Sequence, residues 1–131
     1  LQLTWAAGDT LGVRRRLAEI REARRNLSPS NLTLDGLSPE AEVLAAIGEP
    51  RQAAEWLDPT LLSLPQASSE GLSDPVRAAA LVRALALRAR LAHQIGDRRG
   101  AAQWAAAVVT LWSDADRFLQ PTVVALRQLT R

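Results

Sequence analysis

The sequence predicts an all-α fold of about six to seven helices, built from repeated helix–turn–helix units. Three observations lead there. Ala and Leu, both strong helix formers, supply 24 and 22 of the 131 residues, while Val and Ile together supply 11 and Tyr is absent, a balance that disfavours a sheet. Apolar residues recur at helical spacing, as at Leu81, Leu85, Ala89 and Ala92. Three Gly–acid pairs, Gly8-Asp9, Gly48-Glu49 and Gly96-Asp97, each stand between two such segments. Glycine supplies the left-handed residue that ends a helix, and an acid is favourable at the start of the next.

Taken in order, residues 1–7 are the end of a helix and 10–27 form a long one. Ser28 to Leu37, with Pro29 and Asp35-Gly36, is expected to be a loop. Ser38 is expected to cap a helix running to Ile47, with Pro39 at its first position and Glu42 in its first turn. Residues 51–64 are helical, with a break expected near Asp58-Pro59. Pro65 to Ser73 forms a second loop, and Asp74-Pro75 opens a helix to Ile95. That helix has an apolar stripe, with Arg77, Arg83, Arg88 and Arg90 assigned to the opposite face. The next helix, 98–112, is apolar nearly all round and is expected to be covered on several sides. Ser113 then caps a last helix with Asp114 and Asp116 in its first turn, and Pro121 is expected to kink it.

The surroundings of the turns repeat. Ile47 to Trp56 aligns with Ile95 to Trp104, with Ile, Gly, Arg, two Ala and Trp identical. Trp5 to Asp9 is a partial first copy. The expected organisation is therefore a single domain over 1–131, with a partial unit 1–27, units 38–64 and 75–112, and a C-terminal helix 114–130. The chain opens on Leu1 rather than Met, so it is expected to be a fragment of a longer or processed protein; Leu1 to Ala7 is too short, and lacks the charged leader, for a secretory signal.

Composition excludes several chemistries. With no Cys, there are no disulfides, thiolate nucleophiles or Cys-ligated metals. All 16 basic residues are Arg, which reads first as the codon usage of a GC-rich genome; the net charge of +2 does not indicate a nucleic-acid partner. The longest apolar stretch, Ala101 to Trp112, is too short to span a membrane. No Gly-rich phosphate loop, nucleophile elbow or paired His occurs, so no catalytic residue is assigned and the chain is expected not to be an enzyme. His93 is the sole histidine and Asp114 with Asp116 reads as helix capping, so no metal and no cofactor is expected.

Paired helices with a Gly–acid turn inside each pair resemble the tetratricopeptide (TPR) family. The small site after the turn matches Ala53 and Ala101, the large apolar sites match Leu37, Leu44 and Leu85, the small packing site matches Ala41 and Ala89, and the closing Pro matches Pro65. The likeness covers roughly 35–113. It departs in repeat length, the glycines being 40 and 48 residues apart against about 34 in the family. Ala92 and Ala105 stand where the family prefers large aromatic residues, and Ser113 where it prefers Pro. A narrower segment, Leu111-Trp112-Ser113-Asp114-Ala115-Asp116 followed by Leu119-Gln120-Pro121, resembles the end of TPR regions in large bacterial signalling proteins, C-terminal regions of serine/threonine kinases among them; no kinase motif is present.

The resemblance implies antiparallel helix pairs stacked as an α-solenoid, with the first helix of each pair lining a concave groove. Mapped onto this chain, that face presents Arg83, Ala86, Arg90, His93 and Gln94, with Glu42 and Ala45 before them and Gln2 and Trp5 at the first unit. Arg83 and Arg90, seven apart, share a helix face whatever the family. The expected partner is a protein or peptide of acidic character. The alternatives are a regulatory or self-associating appendage, as a homodimer, and nucleic-acid binding through Arg14, Arg15, Arg16, Arg21, Arg24 and Arg25. Glu19 and Glu22 lie among those arginines, so pairs such as Arg15–Glu19 and Glu22–Arg25 compete with phosphate contact. Trp56, Trp104 and Trp112 read as packing residues. Trp5 either packs on residues outside this chain or lines the groove.

Overall fold

The structure, a computed structural model, describes residues 8–28, 33–64, 75–112, 117 and 119–131. Among them it is all-helical, with six helices and no strand: α1 (Thr10–Arg24), α2 (Leu34–Ala46), α3 (Pro50–Ser63), α4 (Pro75–Gln94), α5 (Arg98–Leu111) and α6 (Gln120–Leu129). None is long and apolar enough to cross a membrane.

The turns follow from the Gly–acid pairs. Gly48 and Gly96 sit at φ of +84° and +83°. After α2, the Glu49 N–H donates to the Leu44 carbonyl and the Gly48 N–H to Ala45; after α4, Asp97 and Gly96 donate to Ala92 and His93 in the same way. These crossed bonds satisfy carbonyls that the helix end would otherwise leave open. A Cβ at Gly96 would meet nothing within 4 Å. The expected cost of Gly96→Ala is therefore the left-handed backbone alone, about 1–2 kcal/mol, measurable by urea unfolding.

The acids start the next helices. Asp9 and Asp97 each accept a 2.8 Å hydrogen bond, from the Gly12 and Gly100 N–H groups respectively. A Cβ on Gly12 or Gly100 would lie 2.1 Å from Oδ2 of the capping carboxylate, the oxygen that does not accept the cap bond, so glycine makes room for the cap. At the middle turn Gln52 takes that place and its amide donates to Glu49 instead, while Pro50 opens α3 without needing an N–H partner.

Several boundaries differ from expectation, each for a packing reason. Helix α2 begins at Leu34 rather than Ser38, after Thr33 with no side-chain cap, so Ser38 and Pro39 lie inside it. Burial of Leu37, with Leu34 packed on the core, favours the extra turn, and Asp35 suits its N-terminal end. One consequence is that the Ser38 hydroxyl is buried without a partner. Helix α3 runs unbroken through Pro59. Pro59 is exposed, as is Glu55 four residues earlier, so the carbonyl that loses its donor faces water, while Leu57, Thr60 and Leu61 hold the buried side. Helix α1 stops at Arg24, and Arg25 and Leu27 close it through tight bonds to Glu22 and Arg24. Helix α6 begins only at Gln120, with Pro121 in its first turn, where the missing N–H costs nothing and produces no kink. Ser113, Asp114 and Asp116, the loop 65–73 and the segment 1–7 lie outside the described residues.

Helix α4 packs against α2, α3, α5 and α6. It is buried nearly all round, through Val82, Ala84, Leu85, Leu87, Ala89 and Leu91 among others. Helix α5, expected to be the covered one, buries only Ala101, Ala105 and Val108 and leaves Leu111 58% exposed. Arg88 is a second correction: assigned to the polar face, it is buried. Its guanidinium forms a two-pronged bond with Asp58 of α3, Nη2 to Oδ2 being 3.1 Å, and lies 5.7 Å from the centre of the Trp104 ring.

The corresponding place in the previous unit carries the opposite charge. Glu40 and Arg88 each precede their tryptophan by 16 residues. Glu40 is buried, is gripped by both Nη atoms of Arg24 from α1, and accepts the Trp56 indole N–H at 2.8 Å. Two-pronged Arg–carboxylate pairs of this kind fix orientation as well as distance. Trp56 and Trp104 thus pack on the core while each touches a charged neighbour.

Candidate binding groove

Because Arg88 is turned inward, the other side of α4 is fixed. At about 100° per residue, Ala86 and Arg90 lie about 160–200° round the helix from Arg88. The stripe Arg83, Ala86, Arg90, His93 therefore faces away from the α3 clamp and forms one wall of a cavity of about 760 Å³. The opposite wall is α6, through Pro121, Thr122, Ala125, Leu126 and Leu129; Glu42 of α2, Gln94, Trp112 and Leu119 complete the lining. A smaller cavity of about 170 Å³ continues between α2 and α4, lined by Glu42, Ala45, Leu87, Arg90, Leu91 and Gln94.

The two walls differ in chemistry. The α4 side carries exposed Arg83, Arg90 and His93, and no ion pair joins any of them to a described carboxylate. The Arg83 Nε makes only a long 3.4 Å bond to the Ala79 carbonyl of its own helix. The α6 side is mostly apolar. Among the described residues Glu42 is the one carboxylate in the lining, at the end shared with the smaller cavity. The volume falls within the range common for ligand pockets, and the arrangement sets two guanidinium groups opposite an apolar surface.

Sequence reasoning places Glu42, Arg83, Arg90, His93 and Gln94 on one face, and the structure brings all five to this cavity. Trp5 and Gln2 lie outside the described residues. The α6 wall was not foreseen. Its signal was present as the spacing of Pro121, Ala125 and Leu129, but a helix assigned from 114 hides where that stripe begins. Trp112 packs on the core as expected and also closes the cavity.

The basic face of α1 is arranged differently. Arg14 pairs with Glu49 at 2.7 Å, Arg16 with Glu19 at 3.0 Å and Arg25 with Glu22 at 2.7 Å, while Arg24 grips Glu40 and Arg21 lies 5.3 Å over the Trp56 ring. The Glu19 partner is Arg16, not Arg15 as the spacing suggested, and Glu22–Arg25 forms as expected. Among the described residues no group of three His, Asp or Glu side chains is placed to hold a metal ion. Comparison of the chain with known protein families, with curated proteins and with solved structures finds no match.

Proposed function

We propose that this chain is a TPR-like, non-catalytic binding scaffold that takes an acidic protein segment in the groove between α4 and α6. The observation that carries this is the convergence of Arg83, Arg90 and His93, unpaired by described carboxylates, on a cavity whose other wall is apolar. Support for the helix-pair plan comes from the left-handed glycine turns that join α2 to α3 and α4 to α5, from the shared place of Trp56 and Trp104, and from the packing of both α2 and α3 on α4. Nucleic-acid binding through α1 is less favoured, because most of its arginines are already spent on Glu19, Glu22, Glu40, Glu49 and Trp56. No comparable observation favours a self-associating appendage.

The test is an array of short synthetic acidic peptides probed with the intact chain and with Arg83→Glu/Arg90→Glu. A charge-assisted bond contributes about 1.5–3 kcal/mol, so losing two is expected to weaken capture by about a hundredfold or more. Both side chains are exposed, and circular dichroism is expected to show unchanged helicity. Undiminished capture by the double variant removes this groove as the site.

A further inference from the structure

Resting on that reading, we infer that the occupant of the groove is an amphipathic α-helix, with two carboxylates seven residues apart on one flank and small apolar side chains on the other. The first argument is backbone chemistry. An extended segment brings N–H and C=O groups that must find partners when buried. The α6 wall, with Pro121, Ala125, Leu126 and Leu129, offers a single partner, the Thr122 hydroxyl, and the lining's polar side chains stand mostly on α4. A helix satisfies its own backbone and presents only side chains, which is what an apolar wall accepts.

The second argument is spacing. Arg83 and Arg90 lie seven residues apart on α4, about 10.5 Å along its axis. A strand repeats the same face every two residues, about 6.6–6.8 Å, so two carboxylates on one face fall short of or overshoot that distance. On a helix lying along α4, carboxylates at i and i+7 match it. Ala86, between the arginines, leaves room for a side chain at the middle of the partner's seam. Glu42 stands beside Arg90 and Gln94 at one end only. It repels an acid placed beyond the Arg90 partner, so the occupant's next position on that flank is neutral or basic, which sets its register.

Three synthetic peptides of equal length and net charge test this by fluorescence anisotropy, with circular dichroism of the bound peptide. One is a helix former with acids at i and i+7; the second moves the later acid to i+5, off the flank; the third places Pro at the centre of the first. The expected result is that the first gains helicity on binding, the second binds about tenfold or more weakly, and the third is lost. If the Pro peptide binds as well as the first and Arg83→Glu/Arg90→Glu weakens both, the occupant is extended; the helix inference fails and the groove's reading as a site for an acidic segment stands. Should no acidic peptide bind, or the double variant bind them equally, the groove reading itself falls and the helix with it. A concentration-dependent dimer that the double variant dissolves would instead make a second copy the occupant.

Discussion

Asp58→Ala is expected to destabilise the chain by about 3 kcal/mol, more than any change at its surface charges. Removing one partner of a buried ion pair leaves the other uncompensated, which costs about 3–5 kcal/mol. Arg88 has little chance to escape: its side chain is 11% exposed, its Nη1 is already buried without a partner, and Trp104 lies beside the guanidinium. The 29% exposure of the Asp58 side chain places the effect toward the lower end. Urea unfolding of the intact chain measures it. Asp58→Leu combined with Arg88→Met is expected to recover most of the loss, since both charges and the desolvation they require are then gone. A double variant as unstable as Asp58→Ala would mean that the clamp acts through its geometry rather than its charge balance.

Leu57→Ala has an expected cost of about 3–4 kcal/mol, the range for emptying a fully buried leucine site. Leu57 is 0% exposed and belongs to the main core cluster. The relaxed substitution Leu57→Met is expected to cost less than about 1.5 kcal/mol, because volume is kept. Leu57 is on α3 and does not line the groove. Affinity for an acidic peptide, measured well below the unfolding transition, is therefore expected to stay as it is. This contrasts with Arg83→Glu/Arg90→Glu, where stability holds and affinity falls. A Leu57→Ala chain that folds yet loses affinity would show that the groove depends on core packing beyond α4 and α6.

Much of the candidate site was legible before the structure, because it depends on one helix. Arg83 and Arg90 share a face through helical periodicity alone, and His93, Gln94 and Glu42 joined them only through the resemblance. The far wall was not legible. Nothing local to Gln120–Leu129 says which helix it packs on, and Ser113 with two following acids resembles a helix start more strongly than Leu119 does. The clamps were missed for a related reason. Arg88 looks like its neighbours Arg83 and Arg90 in sequence; only Asp58, thirty residues away, makes its burial tolerable.

By itself, the sequence determined the all-helical class, the left-handed turns at Gly48 and Gly96, the aspartate caps at Asp9 and Asp97, and the shared face of Arg83 and Arg90. All of these are governed by residues within a few positions of one another. Tertiary structure alone decided the early start of α2, the unbroken passage of α3 through Pro59, the burial of α4 rather than α5, and the inward turn of Arg88. Each of those outcomes weighs a local penalty, such as an interior proline, an orphaned hydroxyl or a desolvated charge, against burial supplied by a helix distant in sequence. That balance exists only once the helices have met.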